Sequence, residues 1–172
     1  MIRLLFLGDI VGRPGRDLVK LGLRSLVEHH HVDLVIANGE NAAAGFGITG
    51  PIADQLFSLG IDVMTTGNHI WDKKEVIEYI AKEPRLLRPA NYPDGAPGRG
   101  AYLAKTRNGV GVGVINVMGR VFMLSIDDPF AIALREIEAL KHWTPIVFVD
   151  FHADATSEKL AMGWHLDGKA TA

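Results

Sequence analysis

Four stretches of this chain run apolar and β-like and then stop on side chains able to hold a metal ion. Arg3-Leu4-Leu5-Phe6-Leu7-Gly8 ends at Asp9, and Leu34-Val35-Ile36-Ala37-Asn38-Gly39 ends at Glu40-Asn41. Val63-Met64-Thr65-Thr66-Gly67 ends at Asn68-His69, and Ile146-Val147-Phe148-Val149-Asp150-Phe151 ends at His152. In open α/β sheets, ligands and catalytic groups collect outside the carboxyl ends of the strands, so side chains distant in sequence meet there. The pattern therefore asks for a fold whose strand ends converge on one polar site. Glycine just before Asp9, Glu40 and Asn68 lets the backbone turn tightly and approach a bound ion or phosphate.

Between these runs the periodicity changes. Gly12-Arg13-Pro14-Gly15 reads as a loop, and Leu18, Leu21, Leu23, Leu26 and Val27 give a helical stripe up to His29. Pro51 fits the first turn of a short helix with Leu56, Phe57 and Leu59, and Asp72 with Glu75 has capping-box spacing for a helix through Ala81. This first half is βαβαβα, the signature of a parallel sheet. The second half begins with the turn-rich stretch Arg88 to Gly98. Gly100 to Lys105, Asn108-Gly109 and Val110 to Val117 then predict a β-hairpin, so the sheet is mixed. Helices are expected over Phe130 to Lys141 and Ala155 to Met162, with no clear element after Gly163. No linker or repeat divides the chain, and the expectation is an α/β fold in one domain over residues 1–172.

Composition narrows the function. With 172 residues, 48% hydrophobic and 22% charged, the chain can bury a real core. Its net charge of −2 gives no global positive field for duplex nucleic acid or anionic lipid. Zero Cys removes disulfides, thiolate nucleophiles, zinc ribbons and iron–sulfur clusters. No apolar run approaches the ~18 residues of a membrane span, and the amino terminus meets Asp9 too soon for a signal peptide. A cytoplasmic enzyme follows as the expectation. Gly8, Gly12 and Gly15 have the wrong spacing for a dinucleotide loop, and no Lys-Ser/Thr follows for a P-loop.

The candidate ligands are carboxylate, amide oxygen and imidazole, a set suited to iron, manganese or zinc. A bridging carboxylate can hold two ions about 3.5–4 Å apart, where a shared water is acidified from about 15.7 toward about 7. Taken singly, each signal has a plainer reading. Asp9 is a turn cap, Glu40-Asn41 turn chemistry, Asn68-His69 a tight turn with a core histidine, and His152 a hydrogen-bonded imidazole. Their joint placement at four strand ends favours the metal site. His29-His30-His31 at a helix end suits the helix dipole and solvent better than a metal. Trp71, Tyr92 and Trp164 are candidate base-stacking residues, and Arg13, Arg88 and Arg120 candidate phosphate clamps, with core packing and surface ion pairs as their plainer roles.

Gly8-Asp9-Ile10-Val11-Gly12, Asn38-Gly39-Glu40-Asn41, Gly67-Asn68-His69-Ile70-Trp71-Asp72, Arg88-Pro89-Ala90-Asn91 and Asp150-Phe151-His152-Ala153-Asp154-Ala155-Thr156-Ser157-Glu158-Lys159 together resemble the YmdB-type bacterial metallophosphoesterases of the calcineurin-like superfamily. Val11 where the superfamily usually has His, and Glu40 where it usually has Asp, both belong to the YmdB-type pattern. The resemblance implies a metallophosphoesterase sandwich with mixed sheets flanked by helices. It implies two iron or manganese ions, with zinc as a further possibility, and hydrolysis of 2′,3′-cyclic nucleotides or RNA ends. Asp9, Glu40 and Asn41 would serve one metal, Asn68 and His152 the other, Glu40 would bridge, and His69 would be the acid–base residue. The family continues into a Gly-Thr-His-Thr-His segment with two more histidine ligands, so this chain is expected to lack a carboxyl-terminal part. On that expectation its centre is under-coordinated, a strand after Gly163 is missing, and the chain associates into homo-oligomers. The competing expectation is a catalytically inactive nucleotide-binding or regulatory module.

Overall fold

The computed structural model describes residues 1–172. Its first half alternates as the pattern predicts: β1 (Leu4–Leu7), α1 (Gly12–His30), β2 (Leu34–Asn38), α2 (Gly50–Ser58) and β3 (Val63–Thr65), then a 3-10 turn at Asn68–Trp71 and the short α3 (Val76–Ile80). β1, β2 and β3 pair in parallel in that order, with Leu4 opposite Leu34 and Ile36 opposite Val63. The second half is the hairpin β4 (Ala101–Lys105) and β5 (Gly111–Met118), then α4 (Pro129–Lys141), β6 (Val147–His152) and α5 (Thr156–Leu166). β5 lies in the middle, antiparallel to β4 and parallel to β6.

The residue pattern alone predicts one mixed sheet; the strands form two, as the sandwich implied by the motif resemblance requires, the first wholly parallel and the second mixed. Side-chain alternation along the strands shows why they stack. Leu34, Ile36 and Val63 face Ala104, Val112 and Val114 in a core between the sheets. Val35 and Ala37 point the other way, into a core with Val19, Leu23 and Val27 of α1 and Ala53 and Leu56 of α2. Ile115, Val117 and Val147 pack outward against Ile137 and Leu140 of α4 and Met162 and Leu166 of α5. The layers are helices, sheet, sheet, helices. β2 is buried on both faces, which accounts for its unbroken apolar run.

The face between the sheets changes character along its length. Asn38 follows Leu34 and Ile36, Thr65 follows Val63, Asn116 follows Val112 and Val114, and Asp150 and His152 follow Phe148. This polar end is also where the sheets are tied. Thr65 Oγ1 donates to Asp150 Oδ2 at 2.5 Å, and Asn38 Nδ2 reaches the same oxygen at 3.3 Å. The fully buried Asn116 donates from Nδ2 to the carbonyls of Thr66 (2.9 Å) and Leu87 (3.2 Å).

Several local expectations are corrected. Gly12–Gly15 is the first turn of α1; Pro14 is tolerated there because first-turn N–H groups have no intrahelical partner. Val19, Leu23 and Val27 form the buried stripe, while Leu18 and Leu21 are 71% and 81% exposed. The Asp72–Glu75 capping box does not form, since α3 begins at Val76 without a side-chain cap and the Asp72 carboxylate turns to His69. The residues after Gly163 are structured: α5 runs on to Leu166, and the backbone of Thr171 and Ala172 pairs with Val147 and Val149 along the edge of β6. No helix is long and apolar enough to cross a membrane.

Asn116→Ala removes the side-chain donor to the Thr66 carbonyl, leaves the Leu87 carbonyl only its bond from Thr66 Oγ1, and is expected to lower unfolding free energy by about 1–3 kcal/mol. Urea denaturation measures this, and a loss under about 0.5 kcal/mol, the scale of an ordinary surface substitution, refutes the tie.

Candidate metal centre

The structure brings all five expected ligand residues to the polar end of the two sheets. Asn41 Nδ2 donates to both Asp9 oxygens, at 3.1 and 3.0 Å, and to Glu40 Oε1 at 3.2 Å. On the other side, His152 Nε2 lies 2.9 Å from Asn68 Oδ1 and 3.3 Å from Glu40 Oε1. One oxygen of Glu40 therefore touches the Asp9–Asn41 group and the Asn68–His152 group at once. The first group comes from the ends of β1 and β2, while the second joins the end of β3 to the end of β6 across the sheets. A cleft of about 340 Å³ lined by Asp9, Asp150, His152 and Lys159 opens beside them. A cleft of about 430 Å³ between β6, α5 and the chain end holds none of these ligands.

Glu40 is only 2% exposed. Burial, reinforced by the Asp9 charge, pushes its carboxyl up to about 7, against the opposing pull of His69 and the Asn41 amide. Burial also pushes Asp150 up, against the hydrogen bonds from Thr65 and Asn38. His152 is pushed down by burial, although Asp150, Asp9 and Asp154 oppose the shift. A lowered imidazole stays neutral and keeps the lone pair that a metal ligand needs.

A pair of cations fits this arrangement. Of six buried side-chain polar atoms without a hydrogen-bond partner, two, Glu40 Oε2 and Asn41 Oδ1, are adjacent within the ligand cluster. A Cβ on Gly67 would collide with Glu40 Oε2 and His152 Nε2, so glycine is what keeps the space between these ligands open. No three His, Asp or Glu side chains converge on one point by themselves. The amides must complete each group: Asp9, Glu40 and Asn41 on one side, Glu40, Asn68 and His152 on the other. The Asn41 amide now offers its NH2 to the carboxylates, and a half-turn about its last torsion would present the oxygen instead.

His69 follows the candidate ligand Asn68 in the 3-10 turn, with Nδ1 2.8 Å from Asp72 Oδ2. That contact fixes the ring through Nδ1. Asp72 was missed in the sequence, where its signal was the His-x-x-Asp spacing that joins neighbours on a helical turn. Asp150 was passed over as a strand residue; its place on the face shared with His152 was readable from the alternation. Of the proposed clamps, Arg88 is buried and donates to the carbonyls of Pro89 and Pro97, at 2.8 and 3.3 Å. Arg13 makes an exposed pair with Asp17, and Arg120 donates to the Ile126 carbonyl. Trp71 and Tyr92 pack edge to face on each other with centroids 5.6 Å apart, and Trp164 is exposed on α5.

The profile of the YmdB-like protein family matches residues 5–172. The chain is 49% identical over 171 residues to the "2′,3′-cyclic-nucleotide 2′-phosphodiesterase" of Bacillus subtilis (strain 168), covering 99% of this chain and 64% of that protein. Among solved structures, a hypothetical protein from Thermus thermophilus superposes with a TM-score of 0.87 at 41% identity, over 99% of this chain and 65% of the other. A phosphatase of Mycoplasma pneumoniae superposes with a TM-score of 0.89 at 31% identity, over 99% and 62%. The chain thus spans a little under two thirds of the length of each relative. The two-sheet sandwich is the one these structures share, and with the profile covering nearly every residue the chain belongs to the YmdB-like family.

Proposed function

We propose that this chain carries the metal-dependent phosphodiesterase centre of its family and hydrolyses 2′,3′-cyclic nucleotides, or RNA ends bearing the same cyclic phosphate. The observation that carries the reading is Glu40: a buried carboxylate in contact with both ligand groups, with one oxygen unpartnered. The Bacillus subtilis relative is a phosphodiesterase of such nucleotides by name, which supports the substrate class. Asp9, Glu40 and Asn41 would hold one ion and Glu40, Asn68 and His152 the other, with iron or manganese best suited to the oxygen and nitrogen donors and zinc also compatible. When bound, such a pair makes water acidic enough to act as a nucleophile at neutral pH and draws charge from the phosphate oxygens.

The chain's own groups do the rest. Glu40 holds the two ligand groups in one geometry, and Asp72 fixes the His69 ring through Nδ1. His69 Nε2 donates the proton that a ribose oxygen needs as it departs, because an unprotonated alkoxide leaves poorly. The reading includes a cytoplasmic enzyme and a homo-oligomer, the latter supported by Leu18 and Leu21 standing exposed together on α1. The competing reading is a catalytically inactive nucleotide-binding or regulatory module. Stoichiometric metal with bound, unhydrolysed cyclic nucleotide supports that alternative.

Glu40→Gln is expected to lower metal content and phosphodiester turnover together, since an amide cannot neutralise two cations. Elemental analysis beside a turnover assay checks this, and undiminished values of both sink the bridging role. His69→Ala is expected to retain metal while kcat for an alkyl leaving group falls roughly 10²–10⁴-fold, with a smaller loss for nitrophenyl esters. Equal losses for both leaving groups count against the acid role.

A further inference from the structure

Phe46 lies on the segment that leaves Glu40-Asn41 and returns to α2, and its ring meets His69 edge-on with centroids 5.1 Å apart and planes at 76°. It is 58% exposed, although it sits beside the proposed acid. This is not a floppy tip. Gly45 N donates to the Asn41 carbonyl, Phe46 N to Ala43, and Ala43 N to Gly47, closing residues 41–47 on themselves. The tight course needs positive φ at Ala44 (59°), Gly45 (93°) and Gly47 (76°). Ala44 takes a conformation that L-residues other than Asn and Asp seldom adopt. Arg16 anchors the segment from α1 by donating to the Ala42 carbonyl.

A hydrogen-bonded loop that begins at the candidate ligands thus holds a largely exposed aromatic ring next to His69. In a 2′,3′-cyclic nucleotide the base is attached to the sugar carbon next to the one carrying the 2′ oxygen. Protonation of that oxygen by His69 brings the base beside whatever flanks His69, and Phe46 flanks it. Trp71 and Tyr92 are spent on each other, and Trp164 lies on α5. Resting on the phosphodiesterase reading above, we infer that Phe46 is the residue on which the nucleobase stacks, and that it makes the site selective for nucleotides over phosphodiesters without a base. Aromatic faces stack on any base, so the selectivity is for a base as such and not for its identity.

The test uses the metal-loaded protein and two pairs of probes: adenosine 2′,3′-cyclic phosphate against base-free 1,4-anhydroribitol 2,3-cyclic phosphate for turnover, and adenosine 3′-phosphate against 1,4-anhydroribitol 3-phosphate for binding by calorimetry. Phe46→Ala is expected to weaken adenosine 3′-phosphate binding, and to raise KM for the cyclic nucleotide, by about ten-fold more than for the base-free partner. Phe46→Trp is expected to restore the difference. Equal losses for both members of a pair overturn the assignment and leave Phe46 as a prop for His69. Wild-type protein that binds adenosine 3′-phosphate no better than the base-free phosphate overturns it as well. Base-selective binding without hydrolysis of any diester instead upholds the stacking role and overturns the catalytic reading alone.

Discussion

The structure turns on one carboxylate held almost out of water. Burying Glu40 without a matching cation is costly, because desolvation and the nearby Asp9 both oppose its charge. The fold accepts that cost at the place where the polar ends of β2, β3, β5 and β6 meet, with Asn38, Thr65, Asn116 and Asp150 facing one another between the sheets. Bound cations, on the proposed reading, would reverse the balance. The Asp9 carboxylate, which opposes the charge on Glu40, would then share in binding.

The supporting polar groups have a division of labour. Asp150 receives Thr65 and Asn38, so the strand that ends in His152 is set against the strands that lead to Glu40 and Asn68. Asn116 grips the carbonyl of Thr66, one residue before Gly67, and so fixes the path of the glycine that lies against Glu40 and His152. Asp72 does for His69 what Asp150 does for the strands. None of these side chains needs to touch a metal to determine where the ligands stand, which is the usual work of the groups behind a metal site.

Much of this was legible in the residues. The apolar run of β2 signalled a strand covered on both sides, and the Gly-x pattern at Gly8, Gly39 and Gly67 located three of the ligand turns. The motifs implied a sandwich of two sheets, but the apolar pattern alone did not, because strands buried on both faces carry the same pattern whatever packs on them. Leu18 and Leu21 misled because leucine is a good helix former on either face, and only the position of the sheet decides which face is inward. Asp72 misled because one spacing serves both a helix cap and a histidine partner. Phe46 left no signal at all: its role depends on a loop path set by positive φ at three neighbours, one of them an alanine.

Sheet one is closed within residues 4–65 and sheet two within residues 101–152, so each half can assemble from contacts local in the chain. The ligand set is not local in that sense. Asp9, Glu40, Asn41 and Asn68 belong with the first half and His152 with the second, joined through Glu40 and Asn68 alone at the site itself. The centre therefore depends on the packing of one sheet on the other through the core they share. Docking of the two sheets is the event that creates it, and a seam that loosens takes His152 away without unfolding a single strand.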